Sequence, residues 1–254
     1  MTENKYSKIL VLGAGPVVIG SSSEYDYSAV SVCRALKEEG ISVVSVNSNP
    51  DTIMTDKNVA DTVYIEPLNG ETVKKIIEKE IPDAIIGTTG GEAGLEICLE
   101  LLQNGYLDEH GTKLLGVKPE TIKAIRNEQA LRDTLANVGE PYVSAKVLPT
   151  DAECVTFAGE IGFPVLISPA FTPDFSEPIR CENADDILSG FGSCAERSLV
   201  NEVYVRKCVD DYKEVEFVAM RDSFGNCISV SSTENIDSVG IHSGDSIVVI
   251  PAQT

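Results

Sequence analysis

The sequence predicts an α/β fold with a parallel sheet in its first half, followed by a smaller α+β domain. Short β-branched runs alternate with amphipathic stretches from residue 8 to about residue 118, a pattern typical of βαβ units. Near residue 120 the alternation gives way to two consecutive helical stretches, and strands recur beyond them. The length of 254 residues accommodates one large domain or two ordinary ones, and the change of pattern favours two.

The first half contains five strand candidates. They are Ile9–Leu12, Val43–Val46, Val63–Ile65, Ala84–Ile86 and Leu114–Leu115. Between them apolar residues recur at helical spacing, as in Val73, Ile76 and Ile77. Each of these helices is therefore expected to bury one face on the sheet.

The second half begins with helical stretches at residues 120–125 and 130–138. Thr150 and Glu153 have the spacing of a capping box, which predicts the start of a helix. Strand candidates are residues 143–148, 165–167, 199–207, 214–221, 228–232 and 247–250. We therefore predict four regions, namely residues 1–120, a helical connection at 121–145, a small subdomain at 146–208, and the first strands of a larger subdomain at 209–254.

Composition narrows the classes of function. The 40 acidic and 20 basic residues give a formal charge of −20, which argues against binding to nucleic acid or to an anionic membrane surface. No apolar stretch approaches the length of a membrane helix, and the first residues lack a signal-peptide pattern, so we expect a cytoplasmic protein. The seven cysteines have no C-x-x-C spacing and are interpreted as reduced, packed thiols.

Three loops follow predicted strands. "LGAGP" (12–16) lacks a complete dinucleotide-binding fingerprint, so a structural turn is the better interpretation. "TTGGEAG" (88–94) opens a helix, and its position favours a ligand whereas its composition indicates only a turn. "NSNPDTIMTD" (47–56) contains side chains that can bond their own backbone and fix the loop.

Taken together, several long motifs identify a family. They are "KILVLGAGPVVIG", "SSEYDYS", "VNSNPDTIMTD", "DTVYIEPL", "TTGGEAGLE", "YKEVEFVAMRD" and "ENIDSVGIHSGDSIVVIPAQT". From about Lys8 to Thr254 the chain closely resembles the amino-terminal half of the large subunit of carbamoyl-phosphate synthetase. The resemblance implies a Rossmann-like (pre-ATP-grasp) domain followed by an incomplete ATP-grasp α+β domain. It also implies ATP and magnesium as cofactors, phosphorylation of bicarbonate, and a glutaminase-type small subunit that supplies ammonia for carbamate.

The chain departs from this family at the expected phosphate loop, "SPAFTPDFSEPIRC" (168–181). Ser168 stands where the resemblance implies an arginine that meets ATP phosphates. Asp174 and Phe175 stand where it implies a glycine-rich flap. Proline donates no N–H, and carboxylates repel phosphate oxygens, so these changes disfavour phosphoryl transfer. We expect residues 173–178 to be disordered or folded away from the cleft.

Two further departures concern the nucleotide. Glu128 stands where the resemblance implies a phosphate-binding arginine, and Lys207 where it implies an acidic residue that holds the ribose. By contrast, Glu214, Glu216 and His242 occupy positions where the family has its own acids and histidine, and each of them can equally be scaffold. They are the candidate catalytic residues.

In the family, the carboxylate and amide that hold catalytic magnesium lie beyond the position of Thr254, so no metal ligands are assigned within this sequence. We therefore expect a ligase lineage in which this polypeptide alone does not form carboxyphosphate. One alternative is a non-catalytic module that docks a glutaminase-type subunit, another synthetase portion or a second copy. Another is a binding module for a different small ligand, with Arg180, Arg206 and Lys207 as replacement cations.

Overall fold

The computed structural model describes residues 6–16, 23–126, 128–170, 178–198, 200–210, 212–222, 224–239 and 246–253. The chain divides into two compact units, a first that comprises Met1–Leu131 and Ile241–Ile247, and a second that comprises Arg132–Gly240 and Val248–Thr254. Within the described ranges, no helix is long and apolar enough to cross a membrane.

The first unit is built on a five-stranded parallel sheet. Its strands are β1 (Lys8–Leu12), β2 (Ser42–Asn47), β3 (Thr62–Ile65), β4 (Ala84–Ile86) and β5 (Lys113–Leu115), in the order β3-β2-β1-β4-β5. All four pairings are parallel. The predicted strands are confirmed, with starts that differ by at most one residue.

Helices cover both faces of this sheet. They are α1 (Ser23–Glu38), α2 (Gly70–Glu80), α3 (Gly91–Gln103) and the short α4 (Tyr106–Glu109), and α5 (Pro119–Arg126) follows β5. Alternate residues of β1 enter two separate cores: Leu10 packs with residues of α2 and α3, whereas Val11 packs with residues of α1. Burial on both faces explains why these strands are continuous apolar runs.

The side chain of Asp83 fixes the start of β1. Its Oδ2 accepts hydrogen bonds from the Ser7 hydroxyl at 2.7 Å, the Ser7 backbone N–H at 2.6 Å and the Lys8 backbone N–H at 3.0 Å. These bonds, the Ser7 hydroxyl first among them, lower the pKa of Asp83 below its usual value. The ionised carboxylate therefore helps to hold β1 beside β4.

The glycines of "TTGGEAG" allow α3 to approach β4 closely. A Cβ placed on Gly94 would lie 2.5 Å from the carbonyl oxygen of Gly87, a separation that side chains do not tolerate. Thr89 Oγ1 donates to the carbonyl oxygen of Leu12 at 2.8 Å, which ties this turn to the end of β1. These contacts give the motif a packing role.

The second unit contains a four-stranded antiparallel sheet. Its strands are β6 (Ala145–Leu148), β7 (Val165–Pro169), β8 (Ile179–Cys181) and β9 (Val203–Lys207), in the order β6-β9-β7-β8. Helix α6 (Glu128–Val138) precedes the sheet, and α7 (Asp151–Ile161) and α8 (Ala184–Arg197) pack on one of its faces. The predicted capping box is confirmed, because Glu153 N–H donates to Thr150 Oγ1 at 3.3 Å. The three-residue strand β8 was not predicted.

A second sheet of this unit is formed by β10 (Val215–Arg221), β11 (Cys227–Asn235) and the two-residue β12 (Val248–Val249). β10 and β11 form an antiparallel hairpin with a bulge opposite Val218 and Ala219. Every residue of β10 is exposed, including Phe217 at 72% and Met220 at 59%. Because side chains alternate along a strand, Phe217 and Met220 lie on opposite faces, so this sheet exposes apolar side chains on both.

All seven cysteines are free thiols, and six of them are buried. Burial raises the pKa of Cys33 to about 11 and that of Cys98 and Cys154 to about 12. Cys227, on β11, is the exposed one. The burial of six cysteines agrees with their interpretation as packed thiols.

Candidate functional site

The candidate site is a cleft within the second unit. Two adjoining cavities of about 560 and 420 Å³ share six lining residues and form one cleft. The shared residues are Pro141, Tyr142, Val143, Lys207, Val209 and Val239. Volumes in this range are typical of small-molecule sites.

Strand alternation places Arg206 on the cleft side of the β6–β9 sheet. Val203 and Val205 are buried against α7 and α8, so the intervening Arg206 lies on the other face. Arg206 is directly opposite Ala145 on one side and Leu166 on the other, and all three line the smaller cavity. Among the described residues, the Arg206 guanidinium has no hydrogen-bond or ion-pair partner.

Ser168 lies on the same face as Arg206. It is half-buried, two residues along β7 from Leu166, and directly opposite Tyr204. Ser168 therefore places a small neutral hydroxyl where the family resemblance implies an arginine. It lies in the cross-strand row next to that of Arg206.

Lys207 lines the cleft, but its ammonium group is bound elsewhere. Its partner across the ladder is the buried Val165, which places Lys207 on the helix-covered side of the sheet. Nζ donates to the carbonyl oxygens of Gly162 at 2.8 Å and Phe163 at 3.2 Å, just beyond the end of α7. Helix carboxyl ends carry partial negative charge, so the contact satisfies both groups.

Arg180 is held by acidic and thiol groups. Nε donates to Glu182 Oε1 at 2.7 Å, and Nη1 contacts Asp210 Oδ2 and lies 3.1 Å from Cys208 Sγ. The Cys208 thiol in turn donates to Asp210 Oδ1 at 2.7 Å. The bond to Glu182, followed by that to Cys208, raises the pKa of Arg180. The guanidinium therefore stays charged and bound to these protein groups.

The acids near β10 occupy different environments. Glu214 lines the larger cavity, and its backbone carbonyl accepts from Asn235 N–H at 3.0 Å. Glu216 is exposed on β10 and is not among the residues that line the cleft. Of the two acids, Glu214 alone lines the cleft, and Glu216 belongs to the exposed part of β10.

Sequence reasoning missed Glu234, which does not itself line the cleft but binds Lys213, a residue that does. It is 7% exposed, accepts from Lys213 Nζ at 3.0 Å, and its Oε2 accepts from Gln253 N–H at 2.8 Å. The signal was present in the "EN" that follows a strand pattern, but its burial depends on the pairing of β11 with its neighbours. Lys213, which lines the larger cavity, is thereby paired.

Four predicted site residues lie outside the described parts of the chain. His242, Asp174 and Phe175 are not among the described residues, nor is the side chain of Glu128, although its backbone begins α6. In the ranges that the structure describes, no three acidic, cysteine or histidine side chains cluster closely enough to hold a metal ion.

Two family models match the chain. The carbamoyl phosphate synthase preATP-grasp domain matches residues 5–124, and the carbamoyl-phosphate synthase L chain, ATP binding domain, matches residues 127–254. The carbamoyl phosphate synthase large chain of Agathobacter rectalis is 48% identical over 251 residues, and that of Lachnoclostridium phytofermentans is 46% identical. Each alignment covers 99% of this chain but 24% of the relative, so the chain spans about a quarter of their length.

Solved structures of lower identity share the fold. N5-carboxyaminoimidazole synthetase from Staphylococcus aureus has a TM-score of 0.68 at 16% identity and covers 98% of this chain and 58% of that one. Biotin carboxylase from Campylobacter jejuni, in its β-γ-ATP complex, has a TM-score of 0.67 at 20% identity, with 91% and 51% covered. The predicted fold class, a Rossmann-like domain followed by an ATP-grasp domain, is confirmed, and the chain belongs to the carbamoyl phosphate synthase large-chain family.

Proposed function

We propose that this chain is of the carbamoyl-phosphate-synthase ligase lineage and cannot, by itself, carry out the ATP-dependent phosphorylation of bicarbonate. The observation that carries this proposal is the position of Lys207. At the point where the family resemblance implies a ribose-binding acid, a cation is bound to the carbonyls of Gly162 and Phe163. An acceptor for ribose hydroxyls is thus replaced by a donor that already has partners.

The charges of the described cleft support the same proposal. A magnesium-bound triphosphate needs several cations and fixed donors, because phosphoryl transfer depends on positioning and on charge neutralisation. Lys207 and Lys213 are bound to protein acceptors and Ser168 supplies no charge, so Arg206 is the one cation of the described cleft without a partner, while Asp210 and Glu214 add negative charge. The described residues therefore do not fit such a ligand.

The test is a binding and turnover assay on the purified chain. Calorimetric titration with ATP and magnesium is expected to show no tight binding, and ADP release is expected to be independent of bicarbonate. A full-length carbamoyl phosphate synthase large chain, assayed in the same buffer, serves as the positive control. Magnesium-dependent ATP binding in the micromolar range together with bicarbonate-dependent ADP release would contradict the proposal.

If turnover is found, Glu214, Glu216 and His242 remain the proposed catalytic residues, as the resemblance implies. Glu214→Gln is then expected to reduce bicarbonate-dependent turnover more than Glu216→Gln, because only Glu214 lines the cleft. Equal losses in both variants would count against the assignment from the cleft.

A second candidate function is the docking of another polypeptide, and the exposed sheet of β10 and β11 favours it. Phe217 and Val215 on one face and Val218 and Met220 on the other leave an unusually apolar surface. We propose the remaining portion of a synthetase, or a glutaminase-type small subunit, as the partner. Size-exclusion chromatography of defined mixtures tests this, with Met220→Glu expected to weaken any complex. A mixture in which each component elutes as it does alone would exclude that partner.

A further inference from the structure

The basic side chains that line the cleft differ in whether they already have a protein partner. Of the basic side chains that line it, Lys207 donates to two backbone carbonyls and Lys213 is paired with the buried Glu234. Arg180, in the same cross-strand row as Arg206, is held by Glu182 and Asp210. Among the described basic side chains of the cleft, Arg206 is therefore the one left for a ligand.

The surroundings of Arg206 are mainly apolar. The smaller cavity is formed there by Ala145, Leu166, Tyr204 and Val209, with Tyr142 and Val143 shared with the larger cavity. A guanidinium beside apolar walls is poorly screened by water, so a fixed anion there would gain more from a charge-assisted pair than at the open surface. A polyanion would leave its remaining charges in the same apolar surroundings without partners.

One acidic group limits the ligand further. Glu214 lines the larger cavity, and the structure records no side-chain partner for it among the described residues. Asp210 is already held by Arg180 and by the Cys208 thiol. Glu214 repels a second negative charge, which favours a ligand with one anionic group at Arg206 and a neutral body toward Glu214.

We propose that this cleft binds a small organic anion that carries a single acid group on an apolar, aromatic-sized body, with Arg206 as the residue that recognises the acid. The cavity volumes suit such a body. This goes beyond the proposed function, which concerns only the failure to process a magnesium-bound triphosphate, and it assigns the cleft a different class of ligand.

The test uses two matched probes, indole-3-propionate and its neutral analogue indole-3-propionamide. Because the chain contains no tryptophan, the indole fluorescence of each probe reports binding directly. The acid is expected to bind at least about tenfold more tightly than the amide, the ratio that one charge-assisted hydrogen bond supplies. Equal affinities, or no binding of either probe at millimolar concentration, would overturn the proposal.

Variants assign the effect to Arg206. Arg206→Gln is expected to remove the preference for the acid and to leave the affinity for the amide unchanged, whereas Arg206→Lys retains part of it. Glu214→Gln is expected to raise the affinity for the acid several-fold, an opposite sign that general unfolding cannot produce. Lys146→Gln removes one charge from the opposite side of the same sheet and serves as the matched control. A loss of acid binding in Lys146→Gln equal to that in Arg206→Gln would also overturn the proposal.

The probe experiment and the nucleotide experiment fail separately. Tight, magnesium-dependent ATP binding contradicts the proposed function whatever the probes do. Loss of discrimination between the acid and the amide contradicts the ligand class while leaving the catalytic conclusion untouched.

Discussion

Replacement of Lys207 by methionine should destabilise the second unit through one local cause. The change keeps most of the aliphatic side chain but removes two charge-assisted hydrogen bonds to the carbonyls that follow α7, at 2.8 and 3.2 Å. Such bonds are worth about 1.5–3 kcal/mol each when fully buried. Lys207 is half-buried and water can reach part of the site, so we expect a total loss of about 1–3 kcal/mol in the free energy of unfolding.

Urea unfolding followed by far-UV circular dichroism measures this loss, since the chain lacks tryptophan as a fluorescent reporter. A loss of about 2 kcal/mol lowers the midpoint by roughly 1 M for a typical slope of about 2 kcal/mol per molar urea. Hydrogen exchange should rise first in α7 and β9.

Lys207→Glu, which introduces the acid that the family resemblance implies, should be less stable than Lys207→Met because it sets a carboxylate against two carbonyl oxygens. The exposed Lys146→Met is the control and should change the unfolding free energy by less than about 0.5 kcal/mol. The reasoning fails if Lys207→Met equals the control, or if the glutamate variant is the more stable of the two.

Three further predictions concern other parts of the chain. Asp83→Asn should cost about 1–2 kcal/mol near neutral pH. Because folding depresses the pKa of Asp83, its contribution is present above the unfolded pKa of about 4 and is lost as the pH falls through the folded pKa, so the difference from wild type should vanish in acid melts. Gly94→Ala should destabilise the first unit by about 1–3 kcal/mol, because its Cβ would meet the Gly87 carbonyl oxygen. Gly159→Ala, on a helix with open space around it, should instead stabilise the second unit by about 0.5–1 kcal/mol. Calorimetric melts compare the two variants, and equal effects would refute the packing argument. At mildly alkaline pH, a thiol reagent should modify Cys227 rapidly and the buried cysteines only after denaturant is added; more than one fast equivalent would show that the buried thiols are accessible.

The sequence predicts best what is decided locally. The strands of the parallel sheet are recognisable because burial on both faces makes them continuous apolar runs, and the Thr150 cap depends on residues three positions apart. The contact of Lys207 with Gly162 joins residues 45 positions apart, and it follows from the register between β7 and β9, which no local pattern specifies. The strand β8 has only three residues and follows a proline-rich stretch, so its pairing with β7 provides the signal that its composition lacks.

In the candidate site, too, the sequence predicts some features and leaves others to the fold. The resemblance indicates which positions are unusual, such as Ser168 and Lys207, but it does not indicate which way the side chains point. Arg206 and Lys207 are adjacent in sequence, and strand alternation sends one to the cleft and the other to the carbonyls beyond α7. A replacement cation could therefore be assigned only once the pairing of the sheet was known.

The apolar sheet of β10 and β11 has a consequence for how the protein behaves in solution. Its exposed apolar faces favour association between copies. Each copy carries a formal charge of −20, so like-charge repulsion opposes that association. Salt weakens this repulsion between copies, because the screening length falls from about 10 Å at 0.1 M salt to about 3 Å at 1 M. A sample stored in molar salt should therefore lose monodispersity while its secondary structure is still intact.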